Sequence, residues 1–249
     1  MKLSLLAGTA VVGLFAAATA HAQTWIPNTG WYGAVDVGYN WPDKITLDNA
    51  LIPGGHVTVE QEGNVTGFGR LGYQFTPHWR VEAEVGYHGG DFKSIRGPVA
   101  LTQAAGSMPV TTVMGNLIYD FAPASTFNPF IGFGVGGGFA DISLTAAGQT
   151  VNGATPSFGI KNNDSVFAYQ GLAGIAWRAT QQLSVDFTYR YTDLSDVKYH
   201  LISNTGATAD LKGGQSSNSI SVGLRYAFSA PPPTPKPMKG LKVLAGAKS

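Results

Sequence analysis

The sequence predicts an all-β chain, an antiparallel up-and-down transmembrane β-barrel of about eight strands, and three observations carry that expectation. Large apolar residues fall on every second position in segment after segment, the prolines ahead of the C-terminal tail lie between those segments, and the connections alternate between short and long. A period of two is the mark of a strand with one apolar face. Exclusion of proline fits a wall in lipid, where every backbone N–H must join a ladder because the solvent offers no hydrogen bonds.

The N-terminus fits an exported chain. Met1-Lys2 supplies the positive charge, Leu3 to Ala18 is apolar and small, and Ala20-His21-Ala22 ends in an A-x-A cleavage pattern, so residues 1–22 read as a secretory signal peptide. Residues 23–229 form the barrel domain and residues 230–249 a Pro-rich periplasmic tail. No segment after the signal approaches the ~20 apolar residues a spanning helix requires. The absence of Cys excludes a disulfide scaffold and thiolate metal sites. A formal net charge of +1 gives no reason to expect nucleic acid. No cofactor motif is expected.

The elements follow in order. Trp31 to Trp41 sets Trp31, Val35, Val37, Tyr39 and Trp41 against Tyr32, Ala34, Asp36 and Asn40. Val65 to Phe75 sets Val65, Leu71, Tyr73 and Phe75 outside, with Thr66, Arg70 and Gln74 inside. Trp79 to His88 is the clearest case: Trp79, Val81, Ala83, Val85 and Tyr87 alternate with Arg80, Glu82, Glu84, Gly86 and His88. Thr111 to Phe121 and Phe130 to Asp141 follow, the second placing Gly132, Gly134, Gly136 and Gly138 inward. Ser165 to Arg178, Leu183 to Asp193 and Asn218 to Phe228 complete about eight strands, the size of the smallest membrane barrels.

Thr76 to His78, Ala122 to Pro129 and Ala179 to Gln182 are short connections. Pro42 to Asn64, Gly89 to Val110, Ile142 to Asp164 and Leu194 to Ser217 are long and rich in small polar residues, and read as mobile loops. Outer-membrane barrels have short periplasmic turns and long external loops, so both chain ends of the barrel face the periplasm. Outward aromatics gather near the short turns (Trp31, Phe75, Trp79, Phe121, Trp177, Phe228) and near the loops (Tyr39, Trp41, Tyr87, Tyr191) as two interfacial girdles.

Trp31-Tyr32-Gly33 opening the first strand, Gly223-Leu224-Arg225-Tyr226-Ala227-Phe228 closing the last, and the prolines from Pro231 onward resemble the transmembrane domain of the outer membrane protein A family over roughly residues 24 to 235. The resemblance implies that Tyr226 and Phe228 form the terminal signal read by the barrel-assembly machinery. It also implies a periplasmic domain that grips peptidoglycan behind the proline linker. Only Met238 to Ser249 follows here, which leaves peptidoglycan contact doubtful and makes a flexible basic end the expectation for Lys236, Lys239, Lys242 and Lys248.

The candidate functional residues are the inward charges Asp36, Arg70, Arg80, Glu82, Glu84, Asp120, Arg178, Asp186, Arg190 and Arg225. A lumen of about eight strands is just wide enough for side chains to fill it, so these groups are expected to pair as a plug or a gate. A three-residue turn at Thr76 to His78 sets Phe75 opposite Trp79 and, counted inward, Arg70 opposite Glu84; those two are expected to form an ion pair. Gly132-Phe133-Gly134-Val135-Gly136-Gly137 matches G-x-G-x-x-G, but a strand pattern continues where a phosphate site needs a helix. His56, His78, His88 and His200 lack metal-ligand spacing, and His88 with Asp91 and Ser94 is too generic a grouping for catalysis.

The expected function is an outer-membrane barrel that contacts lipid and lipopolysaccharide, supports envelope integrity and conducts small solutes poorly through a narrow pore. It is not expected to be an enzyme. The alternatives are an adhesin or receptor scaffold acting through its loops, and a conduit for small hydrophobic molecules.

Overall fold

A computed structural model describes residues 27, 29–48, 56–96, 101–107, 109–148, 157–203 and 208–229. The signal peptide, the tail after residue 229 and its lysines lie outside the described residues. Twelve strands succeed one another: β1 (Gly30–Pro42), β2 (Ile45–Asp48), β3 (His56–Glu62), β4 (Asn64–Gln74), β5 (Trp79–His88), β6 (Asp91–Arg96), β7 (Leu101–Ser107), β8 (Val110–Asp120), β9 (Phe127–Gly148), β10 (Ser157–Arg178), β11 (Leu183–Ser203) and β12 (Thr208–Ala227). Eight of them, β1, β4, β5, β8, β9, β10, β11 and β12, pair antiparallel in that order, and β12 returns to β1 to close the barrel. Tyr32 faces Ala227 and Val37 faces Val222 across the closing seam. No sheet edge is left in that ring, as lipid requires.

Two of the short turns use the same device. Thr76 Oγ1 accepts the Trp79 N–H at 3.0 Å, and Thr180 Oγ1 accepts the Leu183 N–H at 2.9 Å. In each case the backbone N–H of the same threonine donates to the carbonyl of the strand-opening residue, Trp79 or Leu183. A threonine hydroxyl that satisfies the first N–H of the incoming strand fixes the hairpin length, and hairpin length fixes register. Arg70 accordingly lies opposite Glu84 in the β4–β5 ladder.

The faces are inverted relative to a water-soluble domain. Along β5, Trp79, Val81, Val85 and Tyr87 are exposed while Arg80, Glu82, Glu84 and His88 are buried. Between the two girdles a strand advances about ten residues, roughly 33 Å, and a tilt near 40° reduces this to the ~25 Å of an apolar membrane band. Pro129 corrects the expectation that proline stays out of strands. It is the third residue of β9, paired with Ile175, and its carbonyl accepts the Phe121 N–H at 2.9 Å; a strand's opening residues tolerate a missing donor. Pro42 likewise ends β1.

The long connections depart most from expectation. They carry strands instead of forming loops throughout. The strands β9 to β12 run 20 to 22 residues, about twice the 9 to 11 that a bilayer needs. Beyond the membrane-sized ring, β9 continues upward against β7, then β6, β3 and β2 follow in one sheet, and β2 comes to lie alongside β12. Asp43 N–H donates to the Ser216 carbonyl at 2.9 Å where that second tier begins. The polar, weakly alternating sequence there hid the strands, because a strand is read from an apolar face at every second residue.

Candidate functional site

The strand period sends every second side chain into the lumen, and there the structure brings nine of the ten inward charges read from the sequence into one network, while Arg178 stands outside its ion pairs. Asp36 (β1), Arg70 (β4), Arg80, Glu82 and Glu84 (β5), Asp186 and Arg190 (β11) and Arg225 (β12) are all buried, as is Asp120 (β8). The barrel therefore holds four buried arginines and five buried carboxylates on six different strands.

Arg70 is the hub. Its Nε and Nη2 grip Asp36 at 2.7 and 2.9 Å in a two-pronged contact, its Nη1 reaches Glu82 at 3.1 Å, and Nη2 also reaches Asp186 across the lumen at 3.0 Å. Arg80 joins Glu82 at 2.8 Å and Asp120 at 3.0 Å. Arg225 takes the second oxygen of Asp186 at 3.1 Å. Arg190 donates to Glu84 at 3.1 Å and to Ser221 Oγ at 2.7 Å. Planar guanidinium forks suit this arrangement because each can serve two acceptors in fixed directions.

The pairing of Arg70 with Glu84 is corrected. The ladder sets the two residues opposite, yet Arg70 turns to Asp36, Glu82 and Asp186, while Glu84 accepts from Arg190 and from Gln170 Nε2 at 2.9 Å. Long side chains in a narrow cylinder meet partners from the far wall as easily as from the next strand. Two carboxylates on different strands then offer the fork better geometry than one directly beside it.

Several neutral members of the site were missed or left without a role. Tyr32 donates its hydroxyl to Glu82 at 2.7 Å, and Phe68 lies under the Arg190 guanidinium at 4.0 Å, a cation–π contact that substitutes for a counter-ion on one face. Phe130 does the same for Arg80 at 4.9 Å. Phe68 was legible by parity, since it is in phase with Thr66 and Arg70, but an inward phenylalanine runs against the apolar-out rule. Beside Arg80 and Asp120, Ile118, Phe130, Leu172 and Ala176 form a small apolar layer.

Inward glycines make room for these groups. A Cβ on Gly223 would strike the Asp36 carboxylate, one on Gly134 the Asn116 amide, and one on Gly72 the Tyr32 ring. Gly132 and Gly134 of the G-x-G-x-x-G run sit mid-strand in β9, paired with both β8 and β10. That run is a packing device in a barrel wall.

His88 points inward, its Nδ1 3.1 Å from Thr66 Oγ1 and its ring edge-on to Phe68; the side chains of Asp91 and Ser94 lie outside the described residues. His78 stacks on Tyr119 at the short-turn end, and its ring nitrogen lies 2.8 Å from the Asp120 carbonyl. Tyr226 and Phe228 both face outward, their rings 6.1 Å apart, and the Phe228 N–H is held by the Trp31 carbonyl at 2.9 Å.

A small cavity lies on each side of the network. One, of about 20 Å³, is bounded by Asn40, His88, Thr192 and Gln215 toward the second tier. The other, of about 40 Å³, is bounded by Tyr32, Gln74, Arg178, Gln182 and Arg225 at the short-turn end. The buried ions separate them.

The profile of the outer membrane protein beta-barrel domain matches residues 7–228. An outer membrane protein of Gluconacetobacter diazotrophicus is 26% identical over 94% of this chain, which spans 65% of that relative's length. The outer membrane protein PagN of Salmonella typhimurium is 28% identical over 85% of this chain and 93% of its own. Among solved structures, OprG of Pseudomonas aeruginosa superposes with a TM-score of 0.53 at 16% identity, covering 82% of this chain and 99% of that one.

Proposed function

This chain belongs to the outer membrane protein beta-barrel domain family, and from that premise we propose that it serves the envelope as a sealed barrel whose lumen is plugged by ion pairs. Its place is the outer membrane, where the exposed face of the eight-strand ring meets lipid and lipopolysaccharide. The observation that carries the reading is the burial of Arg70, Arg80 and Arg190 with every one of them bound to carboxylate. A hydrated channel would leave such groups solvated, whereas here Arg70 and Arg190 reach carboxylates across the lumen and Arg80 binds Glu82 and Asp120 on its own and the next strand. Removing ions from water is costly and is offset only when geometry and additional hydrogen bonds are good, so a network of this kind resists opening.

A narrow pore is the second capacity of the same site. Arg80 Nη2, Glu82 Oε2 and Arg190 Nε have no hydrogen-bond partner, and such groups in a buried network are ordinarily met by ordered water. Exchange of the arginines among their carboxylates would open a thin polar seam through a plug that is otherwise shut. Current through planar bilayers tests both states: the wild type stays closed, and Arg70→Met conducts.

The second tier supports a recognition role outside the membrane. Its strands hold a continuous sheet well above the lipid band, a firmer platform than mobile loops. Removing residues 45–62 and 91–107 while keeping the ring tests it: loss of cell or phage binding with folding retained supports recognition, and unchanged binding rejects it. The outward pair Tyr226 and Phe228 fits a terminal strand signal for the barrel-assembly machinery. We assign no catalytic chemistry to the barrel, and peptidoglycan contact is not part of the proposal.

A further inference from the structure

Arg178 differs from the four arginines of the plug. It closes β10 at the short-turn end, with Trp177 facing lipid and Ala176 buried in the lumen, so its side chain belongs to the inner face. Its backbone N–H is used by the Thr126 carbonyl at 2.9 Å. Among the described residues its guanidinium has no ion-pair or hydrogen-bond partner, although each of the other four lumen arginines is bound to carboxylate.

Asp120, whose charge acts on Arg178, and Asp186 are already occupied. Asp120 gives one oxygen to Arg80 and the other to Asn128 Nδ2 at 2.9 Å. Asp186 gives one to Arg70 and one to Arg225. Arg225 lines the same ≈ 40 Å³ cavity as Arg178, spends an Nη nitrogen on Asp186, and is the least buried of the four network arginines, with a side chain 10% exposed against 0 to 2% for the rest. Gln74 and Gln182, also on the cavity wall, have their amide N–H groups turned to the carbonyls of Pro77 and Ala227. The walls therefore present two guanidinium groups and no carboxylate to the space between them.

The geometry points to an oxyanion site here: Arg178 and Arg225, lining one cavity at the short-turn mouth of the barrel, would bind a small phosphate or carboxylate between them. A guanidinium fork matches two oxygens of either group. The cavity holds no more than a small anion. It opens at the end that outer-membrane barrels turn to the periplasm, inside the ring of strands, so a dissolved solute fits it and a lipid headgroup does not. The plug contains one more carboxylate than arginine, Asp36, Glu82, Glu84, Asp120 and Asp186 against Arg70, Arg80, Arg190 and Arg225. Arg178 balances that excess, so an entering anion would leave the lumen net negative, which predicts weak, readily reversible binding. The site shares Arg225 with the plug, whereas Arg178 takes no part in the plug's ion pairs.

The test is a titration of the full mature chain, folded in zwitterionic micelles with 15N-labelled arginine, using inorganic phosphate or acetate with chloride replaced to hold ionic strength constant. The expected result is a saturable shift of the Arg178 and Arg225 side-chain Nε–H signals, with those of Arg80 and Arg190 unmoved. R178K should weaken the phosphate response at Arg225 at least fivefold, and R178Q should abolish it. Saturation with acetate alone would assign a carboxylate ligand; saturation with phosphate alone would assign a phosphate. No saturable shift, an equal shift at all arginines, or an undiminished Arg225 response in R178K overturns the site. If R178Q does not fold, the wild-type titration and R178K decide.

Discussion

The two faces of β5 (Trp79–His88) carry opposite chemistry one residue apart, and each would destroy the other's environment. Val85 is 53% exposed and Glu84 beside it 1%. In water that arrangement would be unfolded; in a membrane it is the ordinary solution, because lipid accepts Val85 while the opposite wall supplies Glu84 with Arg190 and Gln170. The lipid wall is held by what it lacks, charge and unpaired backbone. The lumen wall is held by pairing that must be nearly complete. Tolerance to substitution should therefore differ in kind: graded with depth on the outside, and dependent on partners on the inside.

The largest effect should come from the hub. Arg70→Met takes the two-pronged partner from Asp36 and one partner each from Glu82 and Asp186, and breaking a buried pair typically costs about 3–5 kcal/mol. Urea unfolding in lipid vesicles should show a loss of that size, and a change below about 1 kcal/mol would mean that the lumen is wet. On the other face, Val85→Arg should cost about 2–4 kcal/mol near the midplane, well above the cost of Glu84→Gln, which keeps the shape of the residue and still offers Arg190 an amide oxygen. Equal folding yields for the two would show that the faces have been exchanged by a register slip of one residue.

The third prediction separates facing residues from bonded ones. Arg70 and Glu84 are opposite in the ladder, whereas Arg190 and Glu84 are joined at 3.1 Å. A double-mutant cycle with Arg190→Met and Glu84→Gln should give coupling of about 1 kcal/mol or more, and the cycle with Arg70→Met and Glu84→Gln distinctly less. The reverse order would restore the simple pairing read from the hairpin. The smallest effect on stability, though a large one on assembly in cells, is expected at the closing strand. Loss of Phe228 should lower surface levels more than truncation after Pro235, and equal levels would place the assembly signal elsewhere.

The sequence was most legible where physics imposes a strict alternation. Trp79–His88 was delimited to the residue, and the inward set from Asp36 to Arg225 followed from parity alone. Partner choice was not legible, because it depends on how far a guanidinium reaches across a closed cylinder; counting from a hairpin finds neighbours in the ladder and misses Asp186, which is 116 positions from Arg70. The second tier was invisible for a different reason. The segments 157–164 and 208–217 show no regular apolar alternation in sequence, and Gly-rich polar segments read as loops. Phe68 and Phe130 were hidden by the inverted rule, which sends aromatics outward, although a cation in a dry lumen makes an inward ring favourable.

Single-channel recording of the folded full chain in planar bilayers tests the sealed lumen most directly. The account predicts a closed wild type with no resolved conductance steps, and openings that appear when Arg70→Met removes the hub. Steady wild-type conductance unchanged by Arg70→Met would contradict it, because ions would then be passing a lumen that the network does not close.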